Sequence, residues 1–183
     1  CIPVTGAVRP GPRIGNGRVE DFVGRIGGRG SAVGRRALRW NGVEGRHYAL
    51  TPDGEPLHSN ASMCAGAVRA ALDDAGLEAG RLGHLSAATT QGDLLVPGHA
   101  VAVQAELAAL TGAAQPMEVM AFQSVCGSSL MAAKAAWLSV RAGEAEIAAA
   151  CAGEFASRWF RPEFYENGAL VDKRGRLALE ADF

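Results

Sequence analysis

The chain has no close cysteine pair, no long apolar run and no surplus of charge, and each of these absences removes a class of function. Its four cysteines, Cys1, Cys64, Cys126 and Cys151, lie far apart, without CxxC spacing and without a histidine at metal-ligand distance in sequence. A disulfide scaffold and a zinc site are both excluded on that spacing, and no metal or cofactor is expected. With 18 Lys plus Arg against 19 Asp plus Glu, the net charge is −1, so there is no broad basic field of the kind nucleic acid or an anionic membrane selects. No apolar run reaches the roughly 18 residues of a membrane span, and no signal-peptide pattern opens the chain. A reducing, cytoplasmic setting is expected. The stretches "GNGRVE" and "GRIGGRG" have neither GxGxxG nor GxxxxGK(S/T) spacing, so they read as surface loops and not as phosphate cradles.

What the sequence does have is apolar patterning. A chain of 183 residues that is 48% hydrophobic can bury one sizeable core, and a single domain is expected. Residues 1–59 are rich in Gly and Arg and irregular, although "CIPVTGAV" has the composition of a first strand. From Asn60, a candidate N-cap, Met63, Val68, Ala71, Leu72 and Ala75 recur at helical spacing until Gly76. "HLSAATT" (84–90) reads as a strand. It leads through "QGDLLVPG" to a helix, "HAVAVQAELAALTG", with Pro97 near its start and Gly112 at its end. "MEVMAFQSV" follows as a buried strand, Gly127 to Gly143 as a third helix, and "EIAAACAGEF" as another buried strand. Strand, helix, strand, helix, strand is an α/β order, and near-continuous apolar strands predict a sheet covered on both faces.

Cys126 falls where the strand ending near Val125 gives way to a helix, the place where open α/β sheets hold ligands. Residue type alone leaves it open between a small buried apolar group and a nucleophile. The position argues for the second, because unpaired N–H groups and the helix dipole stabilise a thiolate there. Cys64, inside an amphipathic helix, and Cys151, inside an apolar strand, read as core residues. His47, His58, His84 and His99 read as solvated or structural, and "RWFRPEFYENG" as a packed loop.

Several segments together resemble the N-terminal half of type III β-ketoacyl-acyl-carrier-protein synthases in the thiolase superfamily. "NGVEGRHYA" is similar to the family's Gly-Ile-x-x-Arg segment, "AATTQGDLLVP" to its Thr-Thr strand and loop, and "FQSVCGSSLMAAKAAWLSVRAGEAEIAAACAGE" to its nucleophile segment, helix and next strand. The resemblance implies an α/β, thiolase-like fold of five layers built from two similar halves. Residues 1–183 would form the N-terminal βαβαβαββ-type half, with the C-terminal half outside this sequence. It also implies a dimer and a Cys-His-Asn site. Cys126 would accept the acyl group from an acyl thioester carried on acyl carrier protein or coenzyme A, and its own N–H would contribute to the oxyanion hole. A malonyl-type thioester would then be decarboxylated and condensed, in fatty-acid or polyketide-like biosynthesis. The family's His and Asn lie in the C-terminal half, and none of the four histidines here matches them.

Two positions bear on substrate binding. Some initiation synthases hold adenine between a Trp and, four residues later, an Arg; here Arg36 and Trp40 occupy that spacing in reversed order, and they could stack by a cation–π contact. Val96, before Pro97, matches the residue that the family projects into its dimer partner's acyl pocket. An apolar Val there cannot act as a base, which favours ordinary condensation or acyl transfer over head-to-head chemistry. Two other readings remain: acyl transfer from Cys126 to an alcohol or amine without carbon–carbon bond formation, and a non-catalytic partner subunit in a ketosynthase heterodimer. Cys126 argues against the last. The chain opens on Cys and stops at "LALEADF", so a longer product is expected.

Overall fold

The computed structural model describes residues 4–25, 28–112, 116–159 and 161. In chain order its elements are β1 (Ile14–Gly15), α1 (Val19–Val23), α2 (Ala32–Trp40), β2 (Gly45–Arg46), α3 (Asn60–Ala75), β3 (His84–Ala88), α4 (His99–Thr111), β4 (Glu118–Phe122), α5 (Ser128–Ala142) and β5 (Ala148–Ala152). They fall into two compact units, Cys1–Arg9 with His58–Glu154, and Pro10–Leu57 with Phe155–Phe183.

In the first unit, α3 starts where side chains supply partners for its end groups. Ser59 N-caps α3: its Oγ accepts the Ser62 N–H at 2.9 Å while Ser62 Oγ accepts the Ser59 N–H at 3.1 Å, a reciprocal capping box. The cap is therefore Ser59, and the expected cap Asn60 is the first helical residue. Its side chain turns inward to donate to Thr89 Oγ1 at 2.8 Å. Gly76, in the left-handed region at φ 64°, closes the helix.

β3, β4 and β5 form a parallel sheet in the order β4-β3-β5, with His84 opposite Glu118 and Ala148, and Ala88 opposite Phe122 and Ala152. α4 connects β3 to β4 and α5 connects β4 to β5, the helical crossovers that parallel strands require. Because the second step returns past β3, the two crossovers run in opposite directions across the sheet. α3 and α4 pack together with Leu82, Leu85, Ala87 and Cys151 in one core that includes Val68, Leu72, Val103 and Leu107. Each large aliphatic fully buried there contributes about 2 kcal/mol. α5 also packs on β3, β4 and β5, and buries a stripe of small side chains, Ser128, Ala132, Ala136 and Ser139.

β3 is wholly buried, but β4 and β5 are largely half-buried or exposed. The expectation of continuous apolar strands covered on both faces holds for β3 alone, because β4 and β5 are the two edges of the sheet. Both are also shorter than the apolar runs suggested. Of the expected first strand, residues 4–8 adopt no strand and residues 1–3 lie outside the described residues. Val4–Gly6 run close to α3 and β5, and a Cβ at Gly6 would sit 2.2 Å from Ala67 O.

In the second unit β1 and β2 pair antiparallel, Ile14 opposite Arg46. Ser31 caps α2 by accepting the Gly34 N–H, and the Glu20 carboxylate ties α1 to α2 through Ser31 N–H at 2.6 Å and Arg35 at 3.0 Å. Phe22 and Tyr48 stack with ring centroids 4.8 Å apart. Burial raises the Tyr48 pKa, an effect that nearby Arg46 partly offsets, and its hydroxyl has no hydrogen-bond partner. The segment "RWFRPEFYENG" is described only at Arg158, Trp159 and Arg161.

Candidate active site

β4 ends at Phe122, and the chain turns through Gln123 and Ser124 into one 3₁₀ turn, Val125–Gly127, that leads directly into α5. Cys126 is the middle residue of that turn and is exposed, whereas Cys64 and Cys151 are buried. Three hydrogen bonds fix the turn: Gly127 N–H donates to Ser124 O at 3.2 Å, and Ser128 donates to Val125 O through its N–H and, at 2.6 Å, through Oγ. None of them uses the Cys126 N–H. The thiol thus stands at the carboxyl end of a parallel strand and at the amino end of a four-turn helix.

Val125 has φ 51°, the left-handed region, and it is the one non-glycine residue there among the described residues. A β-branched side chain resists that conformation, which costs about 1–3 kcal/mol. The side chain is 60% exposed, so burial does not hold it in place. The turn is held instead by the three hydrogen bonds and by α5. No pattern in the residue types marks this strain, since a glycine would have been the expected occupant.

The loop between β3 and α4 runs beside this turn. A Cβ at Gly92 would approach Gln123 Nε2 to 3.9 Å. Thr89 accepts from Asn60 Nδ2 and from the Gln91 N–H, and Glu154 Oε1 accepts both the Thr90 N–H at 2.6 Å and Thr90 Oγ1 at 2.7 Å. Asp93 reaches the amino end of α3, where its two oxygens accept the Asn60 and Ala61 N–H groups, each at 2.9 Å. Beyond it Leu94, Leu95 and Val96 form an exposed apolar ridge, Val96 being 80% exposed. Neither Asp93 nor Glu154 figures in the sequence reading; the one sign of Asp93 is an acidic residue in a Gly-containing loop.

Three of the four histidines have partners of their own. His84 is buried between Glu118 Oε2 and Ser86 Oγ, each at 2.7 Å. Buried His99 lies with Nε2 3.7 Å from Cys64 Sγ. A hydrogen bond with Cys151 and burial push the Cys64 thiol well above its ordinary range, which leaves it protonated and inert. His47 Nδ1 contacts Gly11 O at 3.0 Å, and His58 is exposed. Among the described residues no group of three or more His, Cys, Asp or Glu could hold a metal ion, and no helix is long and apolar enough to cross a membrane.

Arg36 and Trp40 belong to the second unit. Both are exposed on α2, Trp40 at 81%. The cation–π pairs among the described residues are Arg141 over Trp137 and Arg158 over Trp159, so the contact expected between Arg36 and Trp40 is not formed.

A parallel βαβαβ sheet in the order β4-β3-β5 is consistent with a thiolase-like fold. Residues 56–162 match the N-terminal domain of thiolases, and the chain belongs to that family. It is 35% identical over 118 residues to a β-ketoacyl-acyl-carrier-protein synthase III of Cereibacter sphaeroides, covering 64% of this chain and 33% of that protein. With the enzyme of the same name from Roseobacter denitrificans it shares 36% identity over 144 residues, 77% of this chain and 41% of the relative. The chain thus spans between a third and about two fifths of these relatives. Among solved structures, a tetronic acid condensing enzyme superposes with TM-score 0.69 at 23% identity, over 85% of this chain and 46% of the neighbour. A 3-oxoacyl-acyl-carrier-protein synthase III from Aquifex aeolicus superposes with TM-score 0.61 at 18% identity, over 86% and 46%. These likenesses establish the thiolase-like fold.

Proposed function

We propose that this chain is the nucleophile-bearing half of a type III ketosynthase-like acyltransferase. The observation that carries the reading is Cys126, an exposed thiol held in a strained turn between a parallel strand and a helix amino end. In the first step the Cys126 thiolate attacks the carbonyl of an acyl thioester, a new S–C bond forms, and the donor's thiol leaves. The Cys126 N–H, which none of the turn's hydrogen bonds uses, would donate to the tetrahedral oxyanion. In the second step a malonyl-type thioester loses carbon dioxide. Its enolate carbon then attacks the acyl carbonyl, and Cys126 leaves as the thiolate.

Stabilising that enolate needs donors, and His47, His84 and His99 already have partners. His and Asn from a second half would provide them. The limited share of the relatives that the chain spans supports such a half, as does α5, whose Leu130, Met131, Trp137 and Leu138 are exposed on the sides away from its buried stripe. The ridge ending in Val96 would enter the acyl pocket of a second copy, and Arg36 and Trp40 would meet the donor carrier, whether acyl carrier protein or coenzyme A. The setting would be the cytoplasm.

Incubation with acyl thioesters followed by peptide mass spectrometry tests this reading. An acyl adduct on Cys126, absent from Cys126→Ser, is expected, and release of carbon dioxide from malonyl thioester would mark condensation. A wild-type chain that forms no adduct refutes the assignment.

A further inference from the structure

The β3–α4 loop carries three consecutive exposed apolar residues, Leu94, Leu95 and Val96, yet it is tied down on both sides of its polar segment by carboxylates from elsewhere in the unit. Glu154, just after β5, receives two short hydrogen bonds from Thr90, and Asp93 reaches the first two amides of α3 with one oxygen each. A carboxylate at a helix amino end forms charge-assisted bonds there and also meets the favourable end of the dipole. Ser59 already satisfies the Ser62 and Met63 amides, so Asp93 completes the first turn of α3. The tie is therefore a fixed attachment to a sixteen-residue helix packed in the core. On the other side, Gly92 lies against Gln123, three residues before Cys126. The ridge is thus held on the body of its own unit by groups that do not themselves belong to the ridge.

We propose that Asp93 and Glu154 are positioning residues that hold the Leu94–Val96 ridge in place and thereby set the length of acyl chain accepted at Cys126 of the second copy. This rests on the reading above, in which the ridge lines an acyl pocket. An apolar ridge discriminates by steric contact, and such discrimination is only as sharp as the wall is rigid. Loss of either tie leaves the apolar side chains unchanged but lets them move aside for longer acyl groups.

The test uses the full-length protein and two readouts. A nitroxide on Leu95→Cys in a Cys126→Ser background reports loop motion directly; Asp93→Asn is expected to shorten its rotational correlation time about twofold, and Glu154→Gln to do so to a similar degree. In the Cys126 protein, adduct formation with a series of short to long acyl thioesters is expected to shift by about fivefold toward long chains in both variants. Unchanged nitroxide motion in both variants refutes the tie itself. Increased motion with an unaltered acyl profile, while Val96→Phe does shift that profile, refutes the selecting role and leaves the pocket reading intact. If Val96→Phe has no effect either, the pocket reading falls and this proposal falls with it. If Asp93→Asn does not fold, Glu154→Gln carries both measurements.

Discussion

In the interior of a helix or strand, replacing alanine by glycine destabilises by about 0.5–1 kcal/mol, because glycine has more backbone freedom to lose. At Val125 the sign should invert. Its φ of 51° places a β-branched residue in the left-handed region, where an L side chain costs about 1–2 kcal/mol that glycine does not incur. Val125→Ala keeps the Cβ and most of the strain while giving up the little burial that a 60% exposed side chain has, so it should lower stability by about 0.5 kcal/mol. Val125→Gly removes the strain; after subtracting glycine's backbone freedom and the lost contacts, it should leave stability unchanged or raise it by about 0.5 kcal/mol. The two variants should therefore differ by about 0.5–1 kcal/mol, with glycine the more stable, which amounts to about 1–4 degrees of Tm for a chain of this size. Thermal unfolding followed by circular dichroism resolves that difference. The relaxed turn should also hold the thiol less firmly, and acylation of Cys126 should slow by roughly tenfold. If the glycine variant is less stable than the alanine variant, or is as fast as wild type, the turn does not store strain for the nucleophile.

Other outcomes follow from groups away from the turn. Cys126 should react with iodoacetamide well before Cys64 and Cys151 in the folded protein; time-resolved peptide mapping checks the order, and equal labelling of all three would remove the distinction between them. Tyr48→Phe deletes a buried hydroxyl without a partner and should leave stability at neutral pH unchanged or raise it by up to about 1 kcal/mol. Because the Tyr48 pKa is raised in the fold, the neutral phenol is favoured, and its contribution is complete below about 10 and is lost as pH rises beyond that; urea unfolding of wild type should weaken there more steeply than that of Tyr48→Phe. Glu118→Ala strands Nδ1 of buried His84 and should cost about 1–3 kcal/mol by the same measurement. Gly153→Ala would bring a Cβ within 2.5 Å of Asn60 Oδ1 and Cys64 Sγ, and should destabilise by about 2 kcal/mol or more.

The order of elements from α3 to β5 was legible because apolar residues there recur with the helical period or run together as strands, and because Gly76, Gly112 and Gly143 end helices in the left-handed region. The place of Cys126 followed from that order. The exposure of β4 did not, since an apolar run says that a strand can be buried and not that a neighbour covers it. Asp93 and Glu154 escaped for a different reason: their partners lie 32–33 and 64 residues away in sequence, and no local spacing records such a bond. The strain at Val125 was hidden by its residue type, which points toward an extended strand.

The stripe of Ser128, Ala132, Ala136 and Ser139 gives α5 a pronounced asymmetry of tolerance. With so little side-chain volume between helix and sheet, a residue enlarged by one or two methyl groups has nowhere to go, and the whole helix must lift. Cys126 is carried on the turn at one end of that rigid rod. A conservative change such as Ala136→Val, some ten residues and about 15 Å along the helix, would therefore act on the thiol as a lever. In a laboratory search for altered acyl preference, variants gathered on this concealed seam would retune the site without touching any group around it.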